Sequence, residues 1–313
     1  MFAYLVRRLL ASIPVMGIVA LFVFLLLRLT PGDPAAIIAG DMATPEQLDR
    51  IRTSLGLNEP LHIQFITWIG KILHGDLGVS LISNVPVLTM IHQRLEPTLS
   101  IAITTIVLAV AVAVPLGVVA AWRHGTFIDR FVMGLSVLGF SVPVFVVGYV
   151  LVQVFAIDLR WLPVQGFRSI SKGIGPFFER ALLPTLALSF IYIALIARMT
   201  RASMLDVLGE DYIRTARAKG LGELPVLLQH ALRNAAVPVI TVIGTGFGLL
   251  ISGVVVTESV FNLPGIGRLT VDAVLARDYP VIQGVILLTS GLYVAINLAI
   301  DVAYTALDPR IRY

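Results

Sequence analysis

The sequence predicts an all-α membrane protein: six transmembrane helices in a single transmembrane domain spanning residues 1–313, with both termini cytoplasmic. Three observations predict it. Of the 313 residues, 57% are hydrophobic and 13% are charged, about half the roughly 25% charge of a soluble domain, and the mean hydropathy of +0.91 agrees. Six predominantly apolar stretches of 17 residues or more lack Asp, Glu, Lys and Arg altogether, close to the ~20 apolar residues that cross a bilayer as a helix. None alternates like a barrel strand, so helices must satisfy the backbone in lipid. This composition excludes a soluble enzyme, a disordered chain and a nucleic-acid-binding domain. The net charge of +4 comes without a long basic run and suits loops that fix orientation.

In chain order the stretches are residues 9–27, 97–122, 131–157, 181–197, 234–257 and 279–300. Arg7 and Arg8 before the first resemble a signal peptide, but a signal's apolar region runs about 7–15 residues. This one runs 19 and is expected to stay as a membrane helix. The fourth is short at 17 residues, and Arg198 can extend it by snorkelling. Pro97 and Pro280 fall where helices are expected to start, since a missing N–H costs nothing there. Pro14, Pro115, Pro143, Pro184 and Pro238 fall inside or near spans and should kink them. Gly244 and Gly248, with Gly246 between them, have the spacing of a close helix contact.

Between the first two spans lies a long extracytoplasmic segment, residues 29–96. It opens with Pro31-Gly32-Asp33-Pro34, continues as a polar helical run over 44–57, and resumes after Pro60 with an amphipathic stretch around Phe65, Trp68, Ile69 and Leu73. A small lid on the outer membrane face is expected. With termini inside, the inner segments hold twelve Lys and Arg and the short outer loops six. Basic residues favour the cytoplasmic side, which sets the orientation.

Motifs for chemistry are missing. There is no Gly-x-x-x-x-Gly-Lys-Ser/Thr, no His-Glu-x-x-His and no Gly-x-Ser-x-Gly. His62, His74 and His92 match no metal-ligand spacing, and with zero cysteines there is no thiolate site. No catalytic, cofactor or metal residue is assigned. Asp301 is expected just inside the last span, within reach of Arg198 or Arg201. Neutral polar residues scatter through the spans: Thr104, Thr105, Ser136, Gln153, Ser189, Tyr192, Thr241, Thr245, Thr289 and Asn297. They suit either passage of a polar solute or bonding between helices.

The most informative stretch is the cytoplasmic loop 198–233. Within it Glu210, Asp211, Tyr212, Ile213, Arg214, Thr215, Ala216, Arg217, Ala218, Lys219, Gly220 and Leu221 read as a short helix, acidic at its start, basic at its end and closed by glycine. Ten residues or so do not hold a helix alone in water, so this one must pack on something. Ile213, Ala216 and Gly220 are expected to form a small-residue side for another protein's backbone. Glutamate at Ala216 or Gly220 is then expected to spare the fold and abolish that association.

The stretch Tyr212-x-Arg214-Thr215-Ala216-Arg217-Ala218-Lys219-Gly220, followed by His230-Ala231-Leu232-Arg233-Asn234, resembles the permeases of the peptide and nickel branch of binding-protein-dependent ABC importers. The likeness is to the first of the two permeases, of the dipeptide, oligopeptide and glutathione type. Further matching stretches run along the chain: Pro31-Gly32-Asp33-Pro34, Trp161-Leu162-Pro163, Glu258-x-x-Phe261-Asn262-x-Pro264-Gly265-x-Gly267-Arg268, Arg277-Asp278-Tyr279-Pro280 and Asp308-Pro309-Arg310-Ile311-Arg312-Tyr313. Against the wider family's signature, Gly220 matches, Arg214-Thr215-Ala216 stands where Glu-Ala-Ala would, and His230-Ala231-Leu232-Arg233 keeps only the leucine of Ile-x-Leu-Pro. The resemblance implies a type I ABC importer permease in the bacterial inner membrane, with residues 210–221 as a coupling helix seated on an ATPase subunit. It also implies a second homologous permease, two ATPase subunits holding ATP and Mg, and an extracytoplasmic solute-binding protein. Glu258, Phe261, Pro264, Gly265, Gly267 and Arg268 would form an outer gate on the binding-protein side. Membrane lipid is a partner and nucleic acid is not. Peptides are the expected cargo; glutathione, opines and nickel chelates are alternatives within the family, and a homo-oligomeric channel or carrier is the alternative outside it.

The orientation is tested by a single cysteine, clean in a chain without any. His124→Cys is expected to resist a membrane-impermeant thiol reagent applied from outside; ready labelling inverts the topology.

Overall fold

The computed structural model describes residues 2–29, 35, 44–54 and 56–307. The Pro31–Pro34 and Asp308–Tyr313 stretches lie outside the described residues. The principal helices are α1 Phe2–Leu29, α2 Pro45–Ser54, α3 Leu61–Leu73, α4 Val87–Trp122, α5 Phe127–Ser141, α6 Val144–Leu151, α7 Ile174–Leu208, α8 Asp211–Ala218, α9 Leu232–Gly253, α10 Val255–Val260, α11 Ile266–Leu275 and α12 Tyr279–Leu307. A π-helical turn, Val152–Asp158, extends α6, and another, Val226–Ala231, leads into α9. No strand occurs among the described residues. Among the described residues, five helical segments are long and apolar enough to cross a bilayer, and the pair α5–α6 makes a sixth span when counted as one.

That pair corrects the continuous third span, kinked at Pro143, expected over 131–157: it is broken, and its two halves meet at 98°. The break falls at Val142-Pro143, with Val142 extended (φ −93°, ψ 120°) and Pro143 capping α6. The proline ring clashes with a helical predecessor, which forces residue 142 out of the α region. Pro97 is the second correction. It lies inside α4, which begins ten residues earlier at Val87, because Arg94 and Glu96 mark where lipid ends and not where the helix does. Val87 and Ile91, both fully buried, give the extra turns something to pack on. Pro280 does sit in the first turn of its helix.

The chain divides into two compact units. The larger is built around Glu96–Arg268, with the last helix from Ala295 onward. Its core is made largely of small residues: Ala109, Ala113 and Ala120 of α4 and Ala197 of α7, joined by Val132, Ile196 and Val239. Lipid tails are as apolar as leucine, so close backbone approach and dispersion hold such helices together. Glycines mark the tightest points. A Cβ on Gly117 would stand 2.6 Å from Thr200 Cβ and 2.7 Å from the Ala197 carbonyl oxygen. One on Gly139 would stand 2.6 Å from Ala194 Cβ. Gly244 faces Ile300 and, on the other side of α9, Gly246 faces the Tyr192 ring, so the helix is approached closely at both glycines. Most of the neutral hydroxyls bond helix carbonyls: Ser136, Thr241 and Thr245 reach the carbonyl four residues back, and Ser189 reaches Thr105 O on α4. Thr104 and Thr185 pair across α4 and α7 at 3.0 Å.

The smaller unit holds Val6–Leu95 and Leu269–Val294. Both helices expected in the long outer segment form, as α2 and α3. Phe65 and Trp68 of α3 pack on Phe24 of α1, with ring centroids 5.2 and 5.6 Å away. Gln283 Nε2 donates to Val23 O at 3.1 Å. The Arg277–Pro280 stretch is structural: buried Asp278 accepts from Ser80 Oγ at 2.5 Å and from Leu81 N at 3.1 Å.

Gly117→Ala is expected to destabilise the protein by about 1–3 kcal/mol through overpacking, read as a lowered melting temperature in detergent. Gly134→Ala, where nothing lies within 4 Å of the added carbon, is expected to be neutral or to gain about 0.5–1 kcal/mol from helix propensity.

Candidate functional site

The cytoplasmic loop folds as its end-signals dictate. Glu210 is the N-cap, extended at φ −72° and ψ 149°, Asp211 stands in the first turn and Arg217 in the last. Gly220 takes φ +83°. Its N–H bonds Arg217 O at 2.9 Å, and the Leu221 N–H bonds Ala216 O at 3.3 Å. This is the paired closure of a Schellman motif, and the left-handed residue in it is disfavoured for any side chain with a Cβ.

The helix presents one face to its own protein. Ile213 is 0% exposed and Ala216 8%; they pack with Val118 and Ala121 of α4, Met204 of α7, and Val226, Leu227, Ala231 and Ala235 beyond the loop. The expectation that Ile213 and Ala216 receive a foreign backbone is thereby corrected. The chain supplies that partner itself, and glutamate at Ala216 would bury a charge in the core. Gly220 is exposed, but its positive φ makes Gly220→Glu a backbone change as well as a charge change. The free face is the opposite one: Tyr212, Arg214, Thr215, Ala218, Lys219 and Leu221 are all exposed.

Side-chain bonds pin the loop's two halves. Asn234 Nδ2 donates to Tyr212 Oη at 2.7 Å and to His230 O at 3.0 Å, which ties the Tyr212–Gly220 stretch to His230–Asn234. Arg217 makes a two-pronged bond to Glu223, at 2.9 and 3.2 Å. Arg214 pairs with Asp211 one turn earlier.

A nearby lock was not legible in the sequence. Asp129, buried in the first turn of α5, receives Arg201 through Nε and through Nη2, the latter at 2.8 Å. Gly125 N donates to Asp129 at 2.9 Å, and His124 Nδ1 lies 3.0 Å from it. Arg201, expected near Asp301, therefore has Asp129 as its carboxylate; Asp301 is itself buried. Arg198 stacks over the Phe140 ring at 5.0 Å. No local pattern links positions 72 residues apart; the clue was an acid at the very edge of an apolar stretch.

The 258–268 stretch is a second constellation. Glu258 is 1% exposed, yet its carboxylate accepts from Thr98 Oγ1 at 2.6 Å and from Arg268 N at 2.8 Å. Thr98 Oγ1 in turn accepts from Ile266 N at 2.8 Å. The carboxylate thus caps the N-terminus of α11, directly and through one hydroxyl, where the helix dipole favours a negative charge. Gly265 has no Cβ because Glu258 occupies its place, and a Cβ on Gly267 would stand 2.7 Å from Val255 Cγ2. Phe261 is buried, close to Gly148 of α6, and its carbonyl accepts from Gly166 N at 3.1 Å. Arg268 bonds Asn262. Of the residues expected at an outer gate, Glu258, Phe261, Gly265 and Gly267 are buried as scaffold, and Pro264 and Arg268 are partly open to solvent. Both constellations position helices.

Comparison with known proteins agrees with this arrangement. Residues 113–313 match the family described as "Binding-protein-dependent transport system inner membrane component", and residues 1–102 match its N-terminal companion. The chain is 57% identical over 310 residues to the "Probable peptide ABC transporter permease protein" of Sinorhizobium fredii, covering 99% of each. It is 46% identical over 313 residues to the "Glutathione transport system permease protein" of Salmonella typhimurium, covering all of both. The fold is similar to a solved chain of the inward-facing MetNI methionine ABC transporter, with a TM-score of 0.59 and 16% identity over 71% of this chain and 97% of that one.

Glu258→Ala strands the Thr98 hydroxyl and the Arg268 N–H, and is expected to cost on the order of 3 kcal/mol, measured as reduced thermal stability of the purified protein. Ser259→Ala on the exposed side of the same turn is expected to behave as wild type.

Proposed function

This chain belongs to the family of binding-protein-dependent transport system inner membrane components, and from that membership we propose that α8 is its coupling element to a separate ATPase. The chain is the transmembrane permease subunit of an ABC importer, a multi-pass protein of the bacterial inner membrane and not an enzyme. Importers of this family work with an ATPase and a binding protein. Beyond that, we propose two ATPase subunits, which hold the ATP and Mg, and a second homologous permease beside this one. The cargo we propose is a di- or oligopeptide or a peptide-like solute, glutathione included, by likeness to the peptide and glutathione permeases.

One observation carries the coupling assignment: α8 is anchored by one face and exposed by the other. Ile213 and Ala216 fix it to the core of the transmembrane helices. Arg214, Ala218 and Lys219 remain in solvent, on a helix too short to be stable unsupported. An ATPase that grips the outer face differently in its two states would shift the permease between two openings, since only a differential interaction can move such an equilibrium. The Asp129–Arg201 lock ties α7, the helix that leads into α8, to the start of α5, so movement of α8 is transmitted to spans. A second permease is supported by α9, where Pro238, Thr241, Thr245 and Leu249 lie along one exposed face.

Ala218→Glu and Lys219→Glu alter the exposed face without touching the core or the left-handed glycine. Each is expected to preserve thermal stability while lowering ATPase recovery in co-purification at least tenfold and abolishing uptake. Unchanged recovery and uptake in both variants would remove the assignment; uptake by this chain alone in ATP-free vesicles would replace it with a self-sufficient carrier.

A further inference from the structure

We infer that the cavity between the end of α1 and the polar face of α3 is a headgroup site for an anionic phospholipid. The cavity has a volume of about 190 Å³, many times the ~10–15 Å³ that one water needs. It is lined by Arg28, Glu59, Gln64, Thr67, Trp68 and Lys71, together with Gly56 and Ile63. Two cations face one carboxylate, which leaves a net positive site.

Arg28 is the central group. It is partly buried, and burial pulls its pKa below the ordinary arginine value. Its bonds go to neutral acceptors: Nε and Nη2 reach Gln64 Oε1 at 3.3 and 2.9 Å, and Nη1 reaches Phe24 O at 3.5 Å. The guanidinium lies 3.8 Å from the Phe24 ring centroid. A guanidinium has five N–H donors in a planar fork that matches phosphate oxygens, so donors remain for a ligand. Gln64 is held in place from behind, donating to Leu57 O at 3.1 Å and to Glu59 O at 2.7 Å. The cationic site is thus braced, and among the described residues the acceptors that Arg28 bonds are neutral.

The surroundings select a lipid over a soluble anion. Arg28 stands just beyond the candidate span Val6–Leu26, where the hydrocarbon gives way to headgroups. None of the thirteen residues of α3 is fully buried; Ile63, an apolar residue that lines the cavity, is 41% exposed. Trp68, with an apolar ring and a polar N–H, has the character of a membrane-interface residue. Acyl chains would cover Ile63 while the phosphate enters between Arg28 and Lys71. This site is independent of the transported solute and of α8.

The test is native mass spectrometry of the full chain, purified in neutral detergent with whatever subunits accompany it, delipidated and titrated with dioctanoyl-phosphatidylglycerol. Wild type is expected to retain one tightly bound lipid, and Arg28→Gln and Lys71→Gln each to bind it at least tenfold more weakly. Lys71 is exposed, so that variant tests the site even if Arg28→Gln impairs folding. Equal binding of dioctanoyl-phosphatidylcholine, wild-type affinity in Lys71→Gln, or displacement by inorganic phosphate alone overturns the inference.

Discussion

In lipid, apolar surface gains nothing by meeting apolar surface, and the larger unit is built around that constraint. Its helices are held by how closely their backbones approach, which requires alanine and glycine at the crossings. Ala109, Ala113 and Ala120 of α4, Ala197 of α7 and Gly117 and Gly139 are those residues. Hydroxyls folded back onto helix carbonyls keep the polar content from disrupting the contact. The cytoplasmic ends of α4 and α7 then form a floor of Val118, Ala121 and Met204, and α8 rests on it.

Placed there, α8 combines two properties that a transmitting element needs. One face is committed to the transmembrane core, so its position reports on the spans. The other is exposed, and Ala218 and Lys219 on it present shape and charge to solvent. The Schellman closure at Gly220 and the Tyr212–Asn234 bond fix its ends. The coupling role we propose for α8 needs ends fixed in this way, because a loosely joined helix would absorb motion as local disorder.

Glu258 shows the same economy at the other constellation. A buried carboxylate is costly unless its charge is met, and here it is met by a helix N-terminus and a hydroxyl. The glycines of the 258–268 stretch exist to let the carboxylate and the backbone come close. Arg277–Pro280 behaves alike, with Asp278 holding the 80–81 loop. At these positions the motif residues also hold irregular loops together through buried carboxylates.

The sequence by itself determined the spans, the kink at Pro143, the short helix 211–218 with both its caps, and the family. Each of these is written in composition or in the order of a few neighbouring residues, and the physics that reads them is equally local. Only the tertiary structure decided which side of α8 is inside, that Pro97 continues a helix, that the break reaches 98°, and that Asp129 holds Arg201 and Thr98 holds Glu258. Those depend on groups 72 and 160 residues apart meeting in a low-dielectric interior, where a charge must find a partner, and the partner's identity is set by packing.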